Sequence, residues 1–383
     1  MSIDRILKVS FPGALIFGNG VLKQLTEDVV AQGYKAVVIM TIKPLLGSLA
    51  DLMVALERNN IALLIDTSIE QEPSFSDVKQ VLEQLSTFPA DAVIGIGGGS
   101  VLDVAKVVAA QLDNTQSLED IVGNGMLKGR NKALICVPTT SGTGSEMSPN
   151  AILVDDDNQK KGIISPFLVP DKVYIDPLLT IGVPPTVTAA TGLDALTHCL
   201  EAYTNKFSQP FIDMYAFEGM RLIAANLEEA VHNGANASAR YNVAMGSMLG
   251  GCCLGPVNTA AVHALSYPLG SMFHLAHGLS NALLLPYVME YNYVASPKKY
   301  AEVAIALGCD RLTTDEETAR AGIAKIRTLI SACGIPARLR DVEIPREAIP
   351  QMAEDAMKIT RLLVNNPREI TLHDAISIFN AAY

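Results

Sequence analysis

The first half of the chain alternates short apolar runs with amphipathic stretches. Ala14–Phe17 and Ile61–Asp66 read as strands, and Ala36–Met40 (AVVIM), Ala92–Ile96 (AVIGI) and Ala133–Val137 (ALICV) are apolar at consecutive positions rather than alternate ones. Strands buried on both faces of a parallel sheet read that way. Between them, Leu22–Gln32, Leu45–Asn59 and Ser76–Ser86 read as helices, and another opens in VLDVAKVVAA at 101–110. Strand and helix in alternation predict a parallel sheet with helices on both faces. Ala151–Val154 and Val173–Ile175 are expected as strands flanking the acidic turn Asp155-Asp156-Asp157. With Asn158, Gln159 and two lysines after it, that turn reads as a solvated hairpin tip.

Pro184-Pro185 then breaks the pattern, and strand signals fade. Thr188–Tyr203, Gln209–Leu227, Ala237–Leu254, Asn258–Ser271, Leu279–Tyr293, Pro297–Leu307, Asp315–Cys333, Ile349–Lys358 and Thr371–Ala382 read as helices. The expected organisation is an α/β domain over 1–182 and an all-α domain over 183–383. No repeat or low-complexity segment interrupts it.

Composition narrows the function classes. At 383 residues the chain is long enough for two domains. A net charge of -11 without a basic run argues against nucleic acid and anionic membrane. The opening MSIDRILKVSFPG is charged and lacks a long apolar core, so it is not read as a signal peptide. No apolar run reaches the roughly 18 residues of a membrane span. Six scattered cysteines without a C-x-x-C pair fit reduced thiols in a cytoplasm.

Two loops and one helix carry candidate chemistry. Gly97-Gly98-Gly99-Ser100 lies between a buried strand and a helix start. Glycines there admit a phosphate to the backbone, and the helix end supplies free N–H groups. A tight turn into a helix would look similar. The strand at 133–137 also runs into a loop of hydroxyls and glycines, PTTSGTGSE at 138–146. Two such loops at strand ends of one sheet suit a nucleotide, because ligands of open α/β sheets bind there. In TGLDALTHCLEAY, Asp194 and His198 stand four apart, on one face of an expected helix. His263 and His277 can complete a set of three nitrogens and one oxygen for a divalent transition metal. These imidazoles sit among apolar residues, where a bound cation offsets the cost of burial.

The motifs GGGSVLDVAK (97–106), PTTSGTGSE (138–146), ATGLDALTHCLEAY (190–203) and HALSYPLGSMFHLAHGLSNALLLP (263–286) resemble, in this order, those of the iron-dependent (group III) alcohol dehydrogenase family. The resemblance covers essentially the whole chain. It implies a Rossmann-like dinucleotide-binding domain followed by a helical metal-binding domain. It also implies that Asp194, His198, His263 and His277 hold Fe²⁺, or sometimes Zn²⁺. Gly97, Gly98, Gly99, Ser100, Asp103, Thr139, Thr140, Thr143, Lys161, Leu179 and Gly182 match cofactor-binding positions, with Lys160 the alternative to Lys161. The implied activity is NAD(P)-linked hydride transfer on a small alcohol or aldehyde, by a cytoplasmic homodimer or larger homo-oligomer. A metal that stabilises an alkoxide as a Lewis acid fits that chemistry independently.

Three departures stand out. Many relatives carry a second histidine four residues after the position of His263, where this chain has Tyr267; Tyr267 or His274 is expected to take over proton relay. An acidic residue common after the second strand is Ile42 here, followed by Lys43, which opens the site to NADP as well as NAD. Glu72-Pro73-Ser74-Phe75 replaces a common Pro-Asn-Pro-Thr loop. Rival readings on the same architecture are a dehydroquinate-synthase-like lyase, a hydroxyacid-oxoacid transhydrogenase and a non-catalytic sensor. Segment 191–281 holds only Lys206, Arg221 and Arg240 as strong bases, which is thin for a phosphorylated acid and slightly favours neutral substrates.

Overall fold

A computed structural model describes residues 6–156 and 159–383. The chain divides into two compact units. One comprises 10–140 and 145–180; the other comprises 141–144 and 181–383, with the described residues up to Val9.

The first unit is an α/β layer structure. Its strands are β1 (Ala14–Phe17), β2 (Ala36–Met40), β3 (Ala62–Asp66), β4 (Ala92–Gly97), β5 (Gly123–Asn124), β6 (Ala133–Pro138), β7 (Asn150–Val154), β8 (Lys160–Ile164) and β9 (Lys172–Ile175). Its helices are α1 (Leu22–Ala31), α2 (Leu46–Arg58), α3 (Phe75–Leu85) and α4 (Gly99–Gln111). Six strands pair in parallel in the order β1-β9-β6-β4-β2-β3. The central runs are apolar at every position because both faces are covered: all five residues of β2 are buried. Val37 and Ile39 of β2 pack with Leu25 and Val29 of α1 and Leu49, Leu52 and Leu56 of α2. On the opposite face lies α4, packed on β4 and β6 and beside α3.

From β2 the chain goes outward to β3, then returns past β2 to β4 and β6. The sheet therefore has a topological switch point between β2 and β4, with the 97–100 loop at its carboxyl edge. Ser74 starts α3 through a capping box: its hydroxyl accepts from Asp77 N–H at 3.2 Å, and the Asp77 carboxylate accepts from Ser74 N–H at 2.7 Å.

One strand assignment needs correction. The strand across the acidic turn from β7 is β8, paired antiparallel from Asn150↔Ile164 to Val154↔Lys160. Val173–Ile175 belongs instead to β9 in the main sheet. Lysines at 160 and 161 masked a strand that is only half buried. Asp155 closes the turn, accepting from Gln159 N–H at 2.8 Å. Asp157 and Asn158, part of the expected tip, lie outside the described residues. The small sheet β5-β8-β7 was not foreseen, because β5 is only Gly123–Asn124.

The second unit is helical: α5 (Pro185–Thr204), α6 (Pro210–His232), α7 (Ala237–Leu254), α8 (Ala261–Phe273), α9 (His277–Asn292), α10 (Pro297–Ala306), α11 (Asp315–Ala332), α12 (Ile349–Met357), α13 (Thr360–Leu363) and α14 (Leu372–Ala382). Leu193, Leu196 and Leu200 of α5, Met220 and Ile223 of α6, and Leu283 and Leu284 of α9 share one core with α8, α11 and α14. No helix of the described residues is long and apolar enough to cross a membrane.

Candidate metal centre and nucleotide loops

Helix α5 is the spine of the metal centre. Pro185 stands at its start, where a missing N–H costs nothing, and the helix then runs 20 residues, largely buried from Thr188 onward. Asp194, His198 and Glu201 fall on one face on successive turns. His263 comes from the first turn of α8, and His277 is the first residue of α9. Gly278 lets α9 start hard against α5: a Cβ there would stand 2.2 Å from the Ala190 carbonyl oxygen.

The four predicted ligands meet. Asp194 Oδ1 lies 3.8 Å from His198 Nε2, 3.6 Å from His263 Nε2 and 3.6 Å from His277 Nε2. All four ligand atoms lie within 4.8 Å of one another. A tetrahedral ion with bonds of about 2.1 Å needs ligand atoms roughly 3.4 Å apart, so the wider pairs would have to draw together to close the set. Three side chains are 3–5% exposed, while His277 is 32% exposed. The centre is thus enclosed on the α5 side and open beside His277.

Two further residues brace the ligands. The Glu201 carboxylate accepts from His263 Nδ1 at 2.6 Å, from Ala260 N–H at 2.9 Å and from Val262 N–H at 2.5 Å. It fixes the ring so that Nε2 faces inward, and it raises the basicity of that nitrogen. Asn281, wholly buried, donates from Nδ2 to Asp194 Oδ1 at 2.7 Å, with His263 Nε2 at 3.2 Å and His277 Nε2 at 3.3 Å. Sequence reasoning passed over both. Glu201 was legible as the third member of the 194, 198, 201 face.

Burial and charge pull the site's titratable groups in opposite directions. Burial alone would raise Asp194, yet the imidazoles of His198, His277 and His263 hold it far below the carboxylate range. Burial pulls His198 down to about 4 against the opposing pull of Asp194. Burial also works against a charged His263, but the carboxylates of Asp194 and Glu201 overcome it and carry the ring up to about 10. His263 lies between the two buried carboxylates, and the donor set of three nitrogens plus one oxygen suits a transition metal.

The two relay candidates lie apart in character. Tyr267 sits one turn after His263, with its ring centroid 6.1 Å from that of His277. Its hydroxyl accepts from Arg361 Nη2 at 2.9 Å. His274 is exposed and left-handed (φ 56°) at the C-terminal cap of α8.

In the α/β unit, Gly97 ends β4, Gly98 is the extended residue before α4, and Gly99 and Ser100 form its first turn. A Cβ on Gly98 would stand 3.4 Å from Thr140 Oγ1, so the two loops are in contact. Thr139 is buried just beyond β6. The Thr41 hydroxyl, just beyond β2, is buried and has no hydrogen-bond partner among the described residues. Asp103 faces inward: one oxygen accepts from Ser145 Oγ at 2.5 Å and the other from Ile152 N–H at 2.9 Å. Fully buried Lys106 donates to Ser145 Oγ at 2.8 Å and to the carbonyls of Ser148 and Asn150 at 3.0 and 2.8 Å. These two side chains tie the start of α4 to the segment that follows the second loop. Thr143 and the left-handed Gly144 lie in the 141–144 segment of the helical unit, where a Cβ on Gly144 would meet Gly251 Cα at 2.4 Å. Lys161, on β8, pairs with Asp155 at 3.0 Å, whereas Lys160 is nearly buried and pairs with Glu72 at 2.5 Å. Leu179 packs beside the sheet core, and Gly182 is exposed at the entry to the helical unit.

Family models match both halves: iron-containing alcohol dehydrogenase over residues 12–177, and the Fe-containing alcohol dehydrogenase family, C-terminal, over 188–383. The chain belongs to the iron-containing alcohol dehydrogenase family. It is 36% identical over 390 residues to long-chain-alcohol dehydrogenase 1 of Geobacillus thermodenitrificans, covering 100% of this chain and 98% of that one. A solved structure of 1,3-propanediol oxidoreductase matches with a TM-score of 0.95 at 33% identity, over 99% of this chain and 100% of that chain. Sulfoacetaldehyde reductase from Bifidobacterium kashiwanohense, solved in complex with NAD+, matches with a TM-score of 0.89 at 26% identity over 99% of each chain. As a member of the iron-containing alcohol dehydrogenase family, the protein is an oxidoreductase acting on alcohols or aldehydes, and Asp194, His198, His263 and His277 form a group that could hold a metal ion.

Proposed function

We propose that the protein is a metal-dependent aldehyde reductase and alcohol dehydrogenase that uses NAD or NADP and a small alcohol or aldehyde. The convergence of Asp194, His198, His263 and His277 carries this reading. These residues would hold Fe²⁺, with Zn²⁺ the alternative for the same donor set. When bound, the ion supplies Lewis acidity for the alkoxide or carbonyl oxygen, and the nicotinamide supplies or accepts the hydride.

Gly97, Gly98, Gly99 and Ser100 would seat the pyrophosphate on the N–H groups that open α4. Thr139, Thr140, Thr143, Lys161, Leu179 and Gly182 would contact the rest of the cofactor. Asp103 would act from beneath, by holding the loops. Dual cofactor use is favoured by Ile42 in place of an acid; Lys43, paired with Glu70 at 2.8 Å, is exposed and able to exchange that partner for a 2′-phosphate. Of the two relay residues, Tyr267 stands on the open side of the metal centre, and His274 is the alternative. Among the described residues no disulfide joins the six cysteines, which supports a reducing cytoplasm; we assign a homodimer or larger assembly from the family resemblance.

The test is anaerobic removal of metal, add-back of Fe²⁺ or Zn²⁺, and nicotinamide absorbance with NADH and NADPH against short-chain aldehydes. Metal-dependent oxidation of either cofactor is expected. Stoichiometric metal and cofactor binding without turnover would favour the transhydrogenase or sensor reading.

A further inference from the structure

The open side of the metal centre carries a cation that the reaction itself does not require. His277 is the one ligand with appreciable exposure, so a molecule reaching the centre passes it. Tyr267 stands beside His277, and Arg361 of α13 leans on Tyr267: its Nη2 donates to the phenol oxygen, and its guanidinium carbon is 5.9 Å from the ring centroid. The backbone beneath Arg361 is anchored. Asn365 Nδ2 donates to the Arg361 carbonyl at 3.3 Å and to the Thr259 carbonyl at 2.8 Å, which ties α13 to the segment entering α8.

Arg361 has no carboxylate partner among the described residues; the Tyr267 hydroxyl is its side chain's one hydrogen-bond acceptor. A guanidinium has five N–H donors in a rigid fork that matches a carboxylate or sulfonate with two parallel bonds. Four of those donors have no acceptor among the described residues. An exposed arginine is ordinary on a surface. This one is held by a phenol that is itself next to a metal ligand.

We propose that Arg361, positioned by Tyr267, is a specificity residue that selects small aldehydes and alcohols bearing a carboxylate or sulfonate at the end remote from the reacting carbon. The proposal rests on the dehydrogenase reading of the same site. It also revises the expectation of a neutral substrate, which came from the scarcity of bases in 191–281; Arg361 lies outside that segment and meets Tyr267 from α13.

The experiment compares succinic semialdehyde with 4-hydroxybutanal, equal in length and differing in the terminal charge. KM and kcat are measured separately for the metal-loaded wild type, Arg361→Met and Arg361→Lys. The expected result is a wild-type preference for the semialdehyde. In Arg361→Met its KM rises about 10–100-fold, the value of a charged hydrogen-bonded contact, while kcat and the KM for 4-hydroxybutanal stay within about threefold. Arg361→Lys recovers part of the loss, because charge without the fork remains. Calorimetric titration of 4-hydroxybutyrate against 1,4-butanediol, without nicotinamide, reads the same contact with no turnover. An inactive enzyme would therefore break the dehydrogenase reading and leave the Arg361 test standing. Equal losses for charged and neutral substrates, no wild-type preference, or unchanged 4-hydroxybutyrate affinity in Arg361→Met would overturn the proposal.

Discussion

The two units build their sites by opposite means. In the helical unit the site is made of side chains: one carboxylate and three imidazoles, all but His277 almost fully buried, converge from α5, α8 and α9, with Glu201 and Asn281 behind them. In the α/β unit the proposed nucleotide site is made of backbone, from a glycine turn and the first N–H groups of α4, while the charged side chains of Asp103 and Lys106 are turned inward as braces. Removing one side chain should therefore empty the first site, whereas the second should fail through its supports.

The largest effect is expected at Asp194. Asp194→Ala removes the one carboxylate of the candidate ligand set, and activity should fall on the order of 10³-fold or more. Metal content after gel filtration should fall with it, while nicotinamide binding, followed by fluorescence, should be retained. Loss of both would mean that the two sites are not independent.

Lys106→Met probes the brace. It leaves the Ser145 hydroxyl and two buried carbonyls without their donor, a loss of about 3 kcal/mol in line with breaking a buried polar network. Urea unfolding should show this together with weakened nucleotide binding, and metal affinity should be unchanged.

Glu201→Gln is milder. The amide keeps the shape but weakens the anchor on His263, so metal affinity measured by chelator competition should drop about 10–100-fold.

The smallest effect depends on pH. Burial pushes the Glu146 carboxyl from the ordinary 4.5 up to about 7. The folded state then holds a proton that the unfolded chain has released, so stability falls as pH rises from 4.5 through 7 and is level above that. Glu146→Gln removes the ionisation, and its advantage over wild type should grow across that window to about 1–3 kcal/mol. An advantage independent of pH would show that Glu146 does not titrate there.

The same contrast explains what could be read from the residues alone. The buried parallel strands were legible because consecutive apolar positions admit little else. The convergence of the candidate ligands was legible in part because Asp194 and His198 fall four apart on a helix free of breakers. β8 was missed because Lys160 and Lys161 look like a turn, yet their side chains pair with Glu72 and Asp155 beside the strand. Lys106 was invisible as a brace: a lysine in a helix reads as surface, and only its long-range partners near 145–150 show why it is buried. Arg361 was missed for a similar reason, since its neighbour Tyr267 is 94 positions away.

The most direct test of the central claim is X-ray absorption of the protein loaded with one equivalent of Fe²⁺, alongside the Asp194→Ala and His263→Ala variants. The account predicts a nitrogen- and oxygen-ligated ion with an imidazole signal that falls in His263→Ala, and an open position filled by solvent oxygen. Sulfur ligation, or a spectrum unaffected by either substitution, would place the ion elsewhere and contradict it.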